Sequence, residues 1–241
     1  MRLLCISKGV LYNPYKKEDM NKDIKIISKL DIDGFEFLLG SAEQVMAFKF
    51  NKESFKILKD LKHNSIHAPF YAKDKHLVFS NNNMTKKLMN KIYYIYDKIN
   101  ADNINIHPQQ IKDYKVFNSK DYQFSIENME QKHNFKISDY KRLLKQNPRF
   151  KLVLDTTHAN EEGTLNKIFK TFKKQIVYTH LSCNYYNHLH LPLHTLRPEF
   201  LKPLEIIKKG KFPIVLESQI GTDNIKAYQR EISFVRSWLN K

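Results

Sequence analysis

Histidines and carboxylates recur at the ends of apolar runs in this chain. His67 closes Ser65-Ile66-His67, His107 closes Ile104-Asn105-Ile106-His107, and Glu127 closes Phe124-Ser125-Ile126-Glu127. Asp155 closes Leu152-Val153-Leu154-Asp155 with His158 three residues on, His180 closes Ile176-Val177-Tyr178-Thr179-His180, and Glu217 closes Ile214-Val215-Leu216-Glu217. His190 follows in a polar stretch after His180. Neutral imidazoles mixed with carboxylates suit Zn2+, or Mn2+ and Fe2+ where carboxylates dominate. One catalytic zinc usually takes about three protein ligands and keeps a position open, so a set this large implies more than one ion. A carboxylate such as Glu127 could bridge two ions. Closely spaced metals polarise a phosphoryl or carbonyl oxygen and supply a hydroxide at neutral pH.

Taken singly, a strand-end histidine such as His67 or His107 is more often a hydrogen-bonded structural residue than a ligand. Glu127 and Glu217 weigh differently, because an unpaired carboxylate after a buried apolar run is costly. The repetition is the argument: structural accidents at most of the strand ends are improbable. His63, His76 and His133 lie in polar or lysine-rich surroundings and read as surface residues.

The elements that would position these residues are short β-branched or aliphatic runs bounded by Pro, Asn or Lys, as in strands buried on both faces. Leu3-Leu4-Cys5-Ile6 and Phe35-Glu36-Phe37-Leu38-Leu39 match the same pattern. Helix-like stretches fall between them at 84–99, 136–145, 164–172, 199–208 and 224–239, with breaks at Pro148, Gly163, Pro198, Gly210 and Pro213. Eight strands alternating with helices in 241 residues predict a (β/α)8 TIM barrel, an α/β fold spanning 1–241 as a single domain. Active sites of such barrels sit at the C-terminal ends of the strands, where these polar residues fall. A doubly wound open sheet is the runner-up, but it would not gather ligands from so many strands at one mouth.

Forty-one Lys and Arg against 25 Asp and Glu give a formal net charge of +16, enough to attract a polyanion such as nucleic acid. Most of that charge is lysine, which together with abundant Asn and Ile fits an AT-rich coding bias equally well. Cys5 and Cys183 read as buried thiols rather than a disulfide framework. No apolar stretch approaches a membrane span of about 20 residues, and the N-terminus lacks a signal-peptide pattern, so a cytoplasmic protein is expected.

The motifs His67-Ala68-Pro69-Phe70, Ile106-His107-Pro108, Ile126-Glu127-Asn128, Asp155-Thr156-Thr157-His158, Thr179-His180-Leu181-Ser182 and Leu216-Glu217-Ser218, in this order, resemble those of endonuclease IV. That is the AP endonuclease 2 branch of the xylose-isomerase-like TIM barrels. The resemblance implies a cluster of two or three Zn2+. His67, His107 and Glu127 would hold the first ion, Glu127, Asp155, His180 and Glu217 the second, and His158 with His190 the third. His188 stands where the family has an aspartate, which would leave the third site one negative charge short. The implied reaction is hydrolysis on the 5′ side of an abasic nucleotide in DNA, with Glu127 and Glu217 fixing the metals and orienting the nucleophile. Phe70 and Tyr71 would wedge into the base stack, and Lys73, with Lys49, Lys52 and Lys75, would contact phosphates. The chain looks compact for such an enzyme, with short strand-to-helix loops expected.

The competing enzyme reading is a sugar or sugar-phosphate isomerase or epimerase of the same superfamily. There a single divalent ion such as Mn2+ would be held by Glu127, Asp155, His180 and Glu217 alone. His67 and His107 tip the balance toward several ions. A barrel that binds without turnover would have no evident reason to keep buried carboxylates and imidazoles together.

Overall fold

The computed structural model describes residues 2–11, 19–129, 131–185, 188–221 and 224–240. They build a closed barrel of parallel strands: β1 (Leu4–Ser7), β2 (Gly34–Leu38), β3 (His63–His67), β4 (Ala101–Ile106), β5 (Phe124–Glu127), β6 (Phe150–Asp155), β7 (Ile176–Leu181) and β8 (Ile214–Leu216). Each strand pairs with its neighbours in sequence, and β8 closes on β1 through Leu4↔Ile214 and Ile6↔Leu216. The expected (β/α)8 fold is therefore observed. Closure leaves no free sheet edge and aims the C-terminal end of each strand at one mouth.

Helices form where apolar residues recur at helical spacing. Between β3 and β4 the helix Asn83–Ile99 buries Leu88, Met89, Ile92, Ile95 and Ile99 on one stripe facing the barrel. The Asn82 side chain accepts from the Thr85 amide at 2.8 Å, and Asn100 ends the helix at φ 49°, a left-handed cap that Asn tolerates. Each of these buried aliphatics contributes about 1.5–3 kcal/mol of burial energy. The helices expected at 136–145, 164–172 and 224–239 appear as Ile137–Gln146, Leu165–Phe172 and Ile225–Leu239. The one expected over 199–208 is interrupted: an α-turn at Pro198–Leu201 passes into 3-10 helix at Lys202–Lys209. Pro203 has no amide hydrogen to continue the α ladder.

Loop lengths also depart from expectation. The helix Thr156–Glu161 starts directly after β6, as a short loop requires. After β3, however, the chain makes a hairpin of Tyr71–Ala72 against Lys75–His76, and after β7 a second of Cys183–Tyr185 against His188–Leu191. Both rise beside the mouth. No helix among the described residues is long and apolar enough to cross a membrane. Cys5 and Cys183 are buried free thiols.

The opposite end of the barrel is tied by Asp33. Its carboxylate accepts the Leu4 amide at 3.1 Å, meets Lys62 Nζ at 2.8 Å and Arg236 Nη2 at 3.2 Å, joining β1, β3 and the last helix. Next to it Gly34 is obligatory, since a Cβ there would stand 2.0 Å from the His63 carbonyl oxygen. His63, expected at the surface, is buried, with Nδ1 2.7 Å from Asp102. It begins β3 and so lies at this end, away from the mouth. Burial alone would raise the Asp33 pKa, but Lys62, the Leu4 amide and Arg236 hold it below the ordinary value. The stability Asp33 contributes is therefore full above an unfolded pKa of about 4 and is lost as pH falls through the lower folded value. Asp33→Asn should cost about 1–2 kcal/mol at pH 7, limited by the exposure of Lys62, and the difference from the parent should shrink in acid. Urea denaturation at pH 7 and pH 3 checks both.

Candidate metal centre

Because side chains alternate along a strand, a pair two residues apart shares one face. Ser65 and His67 on β3, Asn103 and Asn105 on β4, Ser125 and Glu127 on β5, and Tyr178 and His180 on β7 follow this spacing and are all buried. Parallel register then aligns them around the barrel, with His67 opposite Asn105 and Asp155 opposite His180.

The result is three overlapping groups whose ligand atoms lie within 4.8 Å of one another. His67, His107 and Glu127 form one; Glu127, Asp155, His180 and Glu217 the second; Asp155, His158 and His190 the third. Within them His67 Nε2 is 3.4 Å and His107 Nε2 3.8 Å from Glu127 Oε2. His180 Nδ1 is 3.3 Å from both Glu127 Oε1 and Glu217 Oε2, and 3.9 Å from Asp155 Oδ2. His190 Nδ1 stands 3.7 Å from Glu217 Oε2. Asp155, not His188, completes the third group. His188 is exposed, paired with Tyr185 across the second hairpin.

Hydrogen bonds set the tautomer of two of the rings. His67 Nδ1 is 2.8 Å from the Ala68 carbonyl and His158 Nδ1 2.9 Å from the Asn128 carbonyl. A carbonyl only accepts, so both Nδ1 atoms carry the hydrogen and both Nε2 atoms keep a lone pair for a ligand. The Asn128 side chain is itself pinned, donating to the Asp155 carbonyl at 2.9 Å and accepting its amide at 2.8 Å. Asp155 Oδ1 caps the following helix by accepting the His158 amide at 2.7 Å. Asn105 Nδ2 donates to Glu127 Oε2. His190 adopts φ 55°, a left-handed conformation unusual for a residue with a ring side chain, and its carbonyl accepts from the Gln219 amide at 2.7 Å. Below it the buried Glu231 accepts from the amides of Leu193 and His194 and from Ser218 Oγ, fastening the second hairpin to the last helix.

The donor chemistry fits a cation. His180 Nδ1 and Asp155 Oδ2 are buried without a hydrogen-bond partner, although both point into the same group. Such orphaned donors and acceptors cost about 1–3 kcal/mol each, and a divalent ion between them would satisfy both. Burial brings the His107 pKa down to about 3, against the pull of Glu127, and burial lowers His190 as well. Both imidazoles are neutral at pH 7, as ligation requires. Burial lowers His180 too, but Glu217, Glu36 and Glu127 carry it well above its usual value.

Sequence reasoning missed the residues beneath this layer. Glu36, Asn105 and Asn128 hydrogen-bond to His180, Glu127 and Asp155, and Tyr178 donates to Glu36. The signal for Glu36 was present: an acid amid the apolar Phe35-Glu36-Phe37-Leu38. Of the residues expected on the nucleic-acid side, Phe70 packs 4.9 Å from the His67 ring and 5.1 Å from that of His107, forming a wall of the site. Tyr71 is 44% exposed on the first hairpin, and Lys73 sits exposed at its tip. His76 is exposed and His133 half-buried beside the mouth. A cavity of about 730 Å3 opens above the groups, lined among others by Phe70, Tyr71, His107 and His133.

Because the neighbouring carboxylates hold His180 as an imidazolium in the metal-free protein, and a ligating imidazole must give up one of those two ring protons, metal uptake at pH 7 should release protons and weaken as pH falls. Calorimetry of Zn2+ binding in two buffers of different ionisation enthalpy reads this directly. Glu127 belongs to two groups and His190 to one, so Glu127→Ala should lose more bound metal by elemental analysis than His190→Ala. Loading to 100-fold over Kd should add about 2.7 kcal/mol per ion, visible as a raised Tm.

No family model matches this sequence, and no curated protein matches it. Solved structures match it over nearly their whole length. A 3-keto-D-glucoside 4-epimerase from E. coli aligns at TM-score 0.69 and 12% identity, covering 98% of this chain and 100% of that one. A D-allulose 3-epimerase from Methylomonas sp. aligns at 0.67 and 15%, covering 98% and 97%. Endonuclease IV from Thermus thermophilus aligns at 0.62 and 12%, covering 99% of both chains. At these identities the likeness establishes the barrel fold that the chain has in common with sugar epimerases and endonuclease IV.

Proposed function

We propose that this protein is a metal-dependent phosphodiesterase acting on nucleic acid, with DNA cleaved 5′ to an abasic nucleotide as the substrate reaction. One observation carries the reading. His67 and His107 converge on Glu127 to make a group separate from the four-residue one, and a single-ion sugar enzyme has no use for it. Bound divalent ions would supply Lewis acidity toward a phosphoryl oxygen and lower the pKa of water, the two needs of phosphodiester hydrolysis.

The protein's own residues do the positioning. Glu127, shared by two groups and tethered by Asn105, holds them in register. Glu217, 16% exposed and facing the mouth, is the carboxylate best placed to orient an incoming nucleophile. The Phe70 ring closes one side against water, while Tyr71 on the hairpin offers an aromatic face to an unstacked base. Beyond that hairpin a second groove, sharing His76, Leu77 and Val78 with the first cavity, is lined by Lys73, Lys75, Lys87 and Lys112. Lysines continuous with the metal centre support a polyanionic substrate.

The second reading, a sugar isomerase or epimerase, is favoured by the four-residue group taken alone and by the epimerase likenesses. A duplex with one abasic site and a ketose panel, each tested with and without chelator, separate the two. Chelator-sensitive incision that falls by about 100-fold or more in His107→Ala supports the phosphodiesterase. An intact duplex with epimerised sugar, insensitive to that substitution, overturns it.

A further inference from the structure

Beneath the ligand layer the barrel interior is not the usual stack of branched aliphatics. Cys5, Val153, Tyr178 and Val215 form a small apolar plug, and beside it lie Glu36, Ser65, Asn103 and Ser125, all buried. Glu36 is fully buried on β2, a strand that supplies no member of the three metal-ligand groups. Both its carboxylate oxygens stand 3.1 Å from His180 Nε2. Tyr178 Oη donates to Oε2 at 2.7 Å and Ser65 Oγ to the same oxygen at 3.2 Å. Asn103 Nδ2 donates to Ser125 Oγ at 2.6 Å, and Ser125 Oγ donates to Asn105 Oδ1 at 3.2 Å, so the network reaches the amide that holds Glu127.

We propose that Glu36, steadied by Tyr178 and Ser65, is the positioning residue of the four-ligand group: it holds the hydrogen of His180 on Nε2 and thereby presents Nδ1 to the metal. The inference deepens the metal-centre reading and rests on it. A carboxylate accepts only, so the nitrogen facing it carries the hydrogen and the other keeps its lone pair. Nδ1 is the nitrogen that faces Glu127, Asp155 and Glu217 and lacks a partner. A carboxylate behind a ligating imidazole also makes it a stronger donor, and removing such a partner usually weakens metal binding about 10–100-fold. Charge points the same way. Glu36, Glu127, Asp155 and Glu217 pair with imidazoles rather than with lysine or arginine among the described residues. Four carboxylates there match two divalent cations, so Glu36 adds the charge that a second ion would offset.

The test compares wild type, Glu36→Gln, Glu36→Ala and Tyr178→Phe, each checked for a cooperative melt. Zn2+ is titrated calorimetrically, and the His180 ring nitrogens are followed by 15N-edited NMR in the loaded protein. Expected is a roughly 10–100-fold weaker affinity for one ion in Glu36→Ala and a smaller loss in Tyr178→Phe. Glu36→Gln, whose amide oxygen still accepts from Nε2, should recover part of the affinity and keep the Nδ1-ligated signature. A purely structural role would leave the His180 tautomer unchanged. Wild type that takes up no Zn2+ would remove the metal reading itself. Wild type that loads while Glu36→Ala and Tyr178→Phe load equally, with unchanged His180 resonances, would overturn the Glu36 assignment and leave the metal centre standing.

Discussion

Everything at the mouth of this barrel answers to one electrostatic constraint: three carboxylates, from Glu127, Asp155 and Glu217, offer ligand atoms within 4.8 Å of one another around His180 Nδ1, and a fourth, Glu36, is buried against Nε2 on the other side of the same ring. Like charges this close cannot remain ionised together unless cations or imidazolium rings stand among them. In the metal-free protein His180 takes part of that role: its pKa climbs although burial acts against it and Glu127 falls well below the ordinary carboxylate range, while burial, Glu127, Asp155 and Glu36 push Glu217 well above it despite His180. A bound divalent ion would take over the same electrostatic role.

Holding such a set in place governs the rest of the interior. A typical barrel centre is filled with branched aliphatics, whereas this one gives part of its space to a hydrogen-bonded layer running from Glu36 through Tyr178 and across Asn103 to Ser125 and Asn105. Buried polar layers are costly where half satisfied and rigid where complete. Here His180 Nδ1 and Asp155 Oδ2 lack hydrogen-bond partners in the candidate ligand groups, and Glu36 Oε1 and Asn103 Oδ1 lack them in the layer behind. Apolar stabilisation has moved outward, to the seam where the stripe of Leu88, Ile92, Ile95 and Ile99 and its counterparts pack on the outer face of the strands.

The same barrel serves unrelated chemistries, because the scaffold fixes strand ends while loops and the residues they carry fix the reaction. In this chain two hairpins rise beside the mouth. The first brings Tyr71 and Lys73 to the rim, and the second carries His190 in a left-handed backbone conformation and is tied down by Glu231. Fold likeness to epimerases and to endonuclease IV is therefore compatible with either chemistry. The proposed phosphodiesterase reading rests on His67 and His107, whose side chains converge on Glu127 in a group separate from the four-residue one.

The local pattern of apolar runs ending in His, Asp or Glu was enough to read the barrel and to name most of the side chains that gather at its mouth, because strand burial and strand-end position are short-range properties of a sequence. What the sequence could not carry was partnership across strands distant in the chain. Whether Glu36 faces inward to His180, 144 residues away, depends on the register of β2 and on barrel closure. His63 looked like a surface residue because its neighbours in sequence are polar, yet the turn that starts β3 buries it against Asp102. His188 was placed beside His190 by a motif spacing, and hairpin geometry sent the two side chains to different environments, leaving Asp155 to complete the third group. Local chemistry was written in the chain; which nitrogen, which oxygen and which neighbour was decided by tertiary packing, since those choices are set by contacts between residues far apart along it.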